Sequence, residues 1–316
     1  MGLRAGIAGY GLAGSVFHAP LIEAVDGLEV AAVMTRSAER AEQARAAHAD
    51  VRVVDSLDAL LEDIDVLVVA SPNSSHAEIA LLGIERGLHV VIDKPMAVSA
   101  DDAQVIAEAG GERVTVFHNR RWDGDFLTVK RLVDSGELGA ITRFESRFER
   151  FRPEVKHGWR EGGDPAAGGG VLLDLGPHVV DQALQLFGPL RSVYGEVRTL
   201  RAAAYVDDDA FIALQHVSGE ISHLWMSAIA PLHGPRFRVS GMNAGFASDG
   251  LDPQEDQLKE GMRPGDPGFG EKEGLERGNY VAFYEGVRDW MRGEAAAPVD
   301  PWDAVRVMDV LEEARG

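Results

Sequence analysis

The chain has 316 residues, 45% of them hydrophobic and 26% charged, an ordinary globular composition whose length suits roughly two domains. Its 51 acidic residues outnumber 31 basic ones, for a formal charge of -20, which sets aside nucleic acid and anionic membrane as partners. With no cysteine, disulfides, thiolate metal sites and cysteine nucleophiles are excluded.

The opening MGLRAGIAGYG lacks the apolar core of a signal peptide, and Gly6 stands where a myristoylation motif takes Ser or Thr. The longest apolar runs fall far short of the roughly 18 residues that span a bilayer. The expected location is cytoplasmic.

Through residue 118 the chain alternates short β-branched runs with alanine-rich amphipathic segments. Six strands are expected, at 3–8, 28–33, 51–54, 66–70, 90–92 and 114–117, each too apolar to be half exposed. Ser37, Ser56 and Ser99 stand where helix N-caps belong between them. This pattern predicts an α/β unit, a doubly wound parallel sheet covered by helices on both faces.

Beyond residue 120 the alternation ends. A helix is expected over 123–135, then strands at 141–151, 192–200, 210–217, 221–228 and 237–240, with Ser218 and Gly219 as a turn. Their succession predicts an α+β domain on an open, mainly antiparallel sheet. Residues 249–278 show no sustained period and read as a long loop lying over the surface or another subunit. Helices at 280–291 and 301–314 close the chain, the second with Asp300 as cap and Pro301 at its first position. The expected division is 1–120 and 121–316, with the final helix packing back on the first domain. An open sheet would leave an apolar face that monomers seldom expose, so a homodimer or homotetramer is expected.

Gly9-Tyr10-Gly11-Leu12-Ala13-Gly14 gives G-x-G-x-x-G between the first strand and a helix, the context of a Rossmann dinucleotide site. Gly9 suits the tight turn, Gly11 the approach of a pyrophosphate and Gly14 close helix packing. At the end of the second strand, where NAD-binding chains place a carboxylate, the sequence reads Met34-Thr35-Arg36-Ser37. A guanidinium there favours a 2′-phosphate, so the expected cofactor is NADP rather than NAD. The competing reading of Arg36 is a solvated residue opening a helix.

Two further clusters are Asp93-Lys94-Pro95 and the segment Asp174-Leu175-Gly176-Pro177-His178-Val179-Val180-Asp181. Together they resemble the E-K-P and D-x-G-x-H-x-x-D motifs of the glucose-fructose oxidoreductase, inositol dehydrogenase and MocA (Gfo/Idh/MocA) family, over essentially the whole chain. Within it, 116–123, 181–184 and 250–255 look most like the NADP-dependent scyllo-inositol 2-dehydrogenases. The resemblance implies hydride transfer between nicotinamide and a ring carbon of a cyclic polyol or sugar, with Lys94, Asp174 and His178 as the catalytic group. Asp93 replaces the common Glu, which shortens the carboxylate beside Lys94. The resemblance also places Ser71, Pro72, Asn73 and His76 along the nicotinamide side. Asn119, Arg121, Trp159 and Asp181 are candidate contacts for the polyol.

Chemistry agrees with those roles. Oxidising an alcohol needs a base for the hydroxyl proton, which suits His178; Lys94 can steady the developing alkoxide, and Asp174 can orient the imidazole or hold substrate. Asp174, His178 and Asp181, spaced by four and then three, would share one helical face, but Pro177 suits a first turn, which would start the helix at Gly176 or Pro177 with Asp174 just outside it. The structural alternatives are a capping Asp174, a satisfied buried His178 with Asp181 as its partner, and for 71–76 an ordinary turn and N-cap. No metal is expected, because a second histidine at ligand spacing is missing. The readings from other classes are a non-catalytic NADP-binding sensor and a methyltransferase.

Overall fold

The computed structural model describes residues 2–156, 158–163 and 165–316, without the side chains of Trp159, Gly162 and Pro165. Strands β1 (Leu3–Ala8), β2 (Leu28–Met34), β3 (Arg52–Val54), β4 (Val66–Val69), β5 (His89–Asp93) and β6 (Val114–Phe117) form an all-parallel sheet in the order β3-β2-β1-β4-β5-β6. Every residue of β4 and β6 is buried, as unbroken apolar runs require of strands covered on both faces. The strand order reverses between β1 and β4, the switch point at which such sheets open a crevice beyond the carboxyl ends of the strands.

The helices of this half are α1 (Ala19–Glu23), α2 (Ala38–Ala47), α3 (Leu57–Leu60), α4 (His76–Glu85) and α5 (Ala100–Gly110). Ser37, Ser56 and Ser99 cap α2, α3 and α5, each side chain accepting from a backbone N–H of the first turn. Ahead of α1, residues Ala13–His18 wind as a π-helix, a form frequent at functional sites.

Helix α6 (Gly124–Asp134) leads to a second six-stranded sheet of β7 (Ile141–Glu149), β8 (Leu190–Arg198), β9 (Asp209–His216), β10 (Ile221–Ser227), β11 (Phe237–Gly241) and β12 (Gly245–Ser248). Its order is β12-β11-β7-β10-β9-β8, antiparallel except that β7 runs parallel to β10. Between β7 and β8 lie α7 (Trp159–Gly162) and α8 (Val171–Phe187), and α8 packs on β7, β9 and β10. On the other face Tyr194, Phe211, Ile221 and Trp225 are partly or fully exposed.

Helices α9 (Gln254–Lys259), α10 (Val281–Met291) and α11 (Pro301–Arg315) complete the fold. Neither β12 nor α9 is announced by the sequence pattern, and the stretch expected to be irregular holds α9. Buried polar side chains hold it in place of an apolar stripe. Asp252 accepts from Gly124 N at 2.7 Å and Gln254 N at 2.9 Å, and Gln254 accepts from Tyr280 N at 2.7 Å. Helix α9 lies against the π-helix at 13–18. Helix α11 packs on α5 and β6 of one sheet and on α8 and β8 of the other.

The predicted start of α8 is corrected. The helix begins at Val171, so Pro177 stands inside it and Asp174 lies in its first turn. A proline disfavours helical backbone at the residue before it through a clash that involves the Cβ, and Gly176 has none. Asp207 replaces the missing cap, accepting from Leu172 N at 2.7 Å. Among the described residues, no helix is long and apolar enough to cross a membrane.

Candidate active site

The dinucleotide cradle is a matter of backbone shape. Gly9 holds φ +103°, and a Cβ there would stand 2.7 Å from Ala70 O. A Cβ on Gly14 would stand 2.1 Å from Gly9 O, whereas at Gly11 the nearest atom is Arg40 Nη1 at 3.9 Å. Two glycines are thus required by close approach and the third faces open space, as a bound pyrophosphate demands. Leu12 is exposed beside them and Ala13 begins the π-helix. Tyr10 turns inward instead. Its hydroxyl meets His48 Nε2 at 2.6 Å, and His48 Nδ1 meets Glu23, tying the loop to α1 and α2.

Past β2, Thr35 Oγ1 accepts from Ser37 N at 3.2 Å. Arg36 and Arg40 are exposed and neither has an ion-pair partner among the described residues. Arg40 is an addition to the residues singled out from sequence. It lies in the first turn of α2, four residues after Arg36, which precedes the Ser37 cap.

The loop after β4 is a brace between strand ends. Ser71 Oγ lies 2.7 Å from Ser75 Oγ, and Pro72 O accepts from Ser75 N at 2.9 Å. Asn73 Nδ2 donates to Gly168 O at 2.9 Å, reaching the segment before α8. His76 spans Ser71 O and Pro95 O, 2.9 Å from each, and so joins this loop to the one carrying Lys94.

Lys94 follows β5 and precedes Pro95 through a cis peptide bond. Its Nζ donates to Asp174 O at 2.5 Å and to Asp174 Oδ1 at 3.2 Å, which brings the two sheets' halves together. Asp93, the shortened carboxylate, does not reach for Nζ. Its Oδ1 accepts from Lys94 N at 2.8 Å and stands 4.0 Å from His18 Nε2. Burial pushes the His18 imidazole down to about 4, against the pull of Asp93. Burial would raise the Asp174 carboxyl, but Lys94, then Arg160 and Arg150, hold it below the usual carboxylate range. That carboxylate keeps 38% of its side chain open to solvent.

His178 sits one turn further along α8 and is 6% exposed. Its Nδ1 is buried with no hydrogen-bond partner among the described residues. Asp174 therefore does not orient the imidazole, and Asp181 is not its partner. Burial, and after it the charges of Lys94 and Arg120, His118 and Arg236, push the His178 pKa well below its ordinary value. The Phe148 ring lies 6.0 Å from it, and the guanidiniums of Arg120 and Arg236 lie over that ring at 4.8 and 4.2 Å. Both arginines are buried, and sequence alone does not single them out.

The other polyol candidates divide. Arg121 is a partly buried cation held in an ion-pair network: Nε and Nη2 grip Asp181 at 2.9 and 2.6 Å, and Nη2 also meets Asp303 of α11 at 2.9 Å. Asn119 is buried at the start of a 3-10 turn over Asn119–Trp122. The Trp159 side chain lies outside the described residues. Among the described residues, no group of three or more His, Asp and Glu stands close enough together to hold a metal ion.

Both halves of the chain have known relatives. Residues 3–119 match the oxidoreductase family with an NAD-binding Rossmann fold, and 126–247 match the GFO/IDH/MocA C-terminal domain. The chain is 33% identical to scyllo-inositol 2-dehydrogenase (NADP(+)) IolW of Bacillus subtilis, over 99% of this chain and 92% of that one. It is 37% identical to the uncharacterized oxidoreductase YdgJ of Escherichia coli, over 98% and 94%. The solved structure of yvaA from Bacillus subtilis superposes with a TM-score of 0.92 at 32% identity, covering 100% of this chain and 96% of that one. With both halves matched and the fold shared end to end, the chain belongs to the Gfo/Idh/MocA family of NAD(P)-binding oxidoreductases.

Proposed function

We propose that the protein is an NADP-dependent dehydrogenase of cyclic polyols or sugars, with inositols and their ketones as the favoured substrates. The observation that carries this reading is the meeting of Lys94 and Asp174 one helical turn from His178. The name of IolW adds support for both NADP and an inositol.

In this reading Gly9 to Gly14 hold the pyrophosphate, Thr35, Arg36 and Arg40 the adenosine 2′-phosphate, and the 71–76 loop the nicotinamide side. When bound, the nicotinamide accepts or gives the hydride exchanged with the ring carbon. The chain supplies the proton chemistry. His178 presents Nε2 as the base that takes the hydroxyl proton, since its Nδ1 is closed in. The Lys94 ammonium, aimed by Asp174, stabilises negative charge on the same oxygen. In reduction the imidazole returns the proton. Asn119 and Trp159 contact the polyol, while Arg121 and Asp181 shape its pocket through their mutual grip. Residues 1–120 form the dinucleotide domain and 121–316 the substrate domain, whose open sheet face pairs copies of the chain in the cytoplasm.

The test is kcat/KM for NADP+ and NAD+ with a panel of inositols, pyranoses and aromatic diols, and for NADPH with the matching ketones. NADP+ with an inositol is the expected best pair. A preference for NAD+, or turnover only of acyclic alcohols, would overturn the reading.

A further inference from the structure

His118 is the buried polar side chain for which the chemistry above has no use. Its position follows from strand register: Phe117 pairs with Asp93, so the next residues, His118 and Lys94, emerge side by side at the carboxyl edge of the sheet. Arg121 N bonds His118 O at 3.1 Å, and Gln182 of α8 bonds Arg120 O at 3.0 Å, which seats this turn against the helix that carries His178. The ring is 2% exposed, and neither Nδ1 nor Nε2 has a hydrogen-bond partner among the described residues. Together with His178 Nδ1 and with His18 Nε2 beside Asp93, four imidazole nitrogens in this region are closed off from water and unpaired.

A buried polar atom left unpaired disfavours the fold, so such groups are retained where something occupies them in the working state. The surroundings keep His118 uncharged. Burial lowers its pKa, and Arg121 and Lys94 add to this against the opposing pull of Asp181 and Asp303. An uncharged imidazole offers one N–H donor and one lone pair on opposite sides of the ring. That is the complement of two alcohols.

We propose that His118 is a specificity-determining residue that binds the hydroxyl next to the reacting carbon of a polyol with hydroxyls on adjacent carbons. This rests on the dehydrogenase reading and deepens it. Lys94 and His178 serve the reacting oxygen, and His118, beside Lys94, is placed for its neighbour. A site built to pair a hydroxyl rejects the analogue that lacks it, because its own polar group is then stranded.

The experiment compares NADP+-dependent oxidation of scyllo-inositol, or of whichever inositol the wild type prefers, with its analogue lacking one hydroxyl beside the reacting carbon. The expected result is that wild type favours the full polyol by about 10- to 100-fold in kcat/KM, that His118→Leu removes most of this preference, and that His118→Gln restores part of it. NADPH fluorescence titration and a melting curve establish that each variant is folded. Loss of activity on both substrates in equal measure, or retention of the preference in folded His118→Leu, overturns the assignment while leaving the dehydrogenase reading intact. Should His118→Leu fail to fold, the comparison is made with His118→Gln and His118→Asn, where an unchanged preference in both has the same force. Absence of turnover of every polyol by wild type overturns both.

Discussion

The cofactor end and the reacting end of this crevice are built by opposite means. At the cofactor end six contiguous residues, 9–14, act through backbone shape, and the decisive atoms are the ones that are missing at Gly9 and Gly14. In the proposed reading the reacting end lies where Lys94 and Asp174, 80 residues apart, meet one helical turn from His178, and it acts through an ion pair and a buried imidazole. A cradle of backbone fixes where a dinucleotide lies and says little about chemistry. The converging side chains decide the chemistry and depend on the fold to bring them together.

If that separation of roles is right, His178→Asn lowers kcat by about 10²–10⁴-fold and leaves NADPH affinity, read by fluorescence titration, unchanged. A parallel loss of affinity would merge the two ends. In the proposed reading the same imidazole sets the acid limb of oxidation. The base works unprotonated and its pKa is depressed, so kcat/KM should hold down to pH values below 6.5 before falling.

Next in size is Arg121→Ala, which strands the buried Asp181 and the partly buried Asp303 and should reduce stability by about 3–5 kcal/mol in urea unfolding. A change under 1 kcal/mol would mark the pair as a surface feature, against its burial. His18 gives a smaller acid effect. Its folded pKa, about 4, lies below the ordinary 6.5, so its contribution is complete above pH 6.5 and drains away as pH falls toward 4. The shift corresponds to roughly 3 kcal/mol, read as the difference in unfolding free energy between pH 7 and pH 4.5. His18→Gln should flatten that slope. At the cofactor end the expected effect is smallest: Arg36→Ala should cut the NADP+ over NAD+ preference about tenfold, the worth of one charged hydrogen bond. An unchanged ratio would point to Arg40 as the main phosphate ligand.

Legibility follows the same division. The six parallel strands lie close to where the unbroken apolar runs place them, because strands buried on both faces leave no polar alternation to blur the signal. The glycine motif is readable because its meaning is local. Helix α8 was harder: a proline normally marks a first turn, and only the glycine before it and the distant Asp207 allow an earlier start. Strand β12 is a four-residue edge and α9 a six-residue helix held by Asp252 and Gln254, so neither carries an apolar period. Arg120, Arg236 and His118 have no motif of their own. What places Arg120 and Arg236 is the Phe148 ring beneath both and, for Arg236, Asp125 as well, contacts made between residues far apart in the chain.

Helix α11 has a consequence for how the polypeptide matures. It rests on α5 and β6, Glu312 accepts from Ala100 N at 2.7 Å, and just ahead of it Val299 O accepts from Thr115 Oγ1 at 2.8 Å. The first sheet is thus roofed in part by a segment that follows it by 184 residues along the chain. During synthesis the nascent nucleotide-binding half must wait with that flank bare, and its final consolidation follows the emergence of α11.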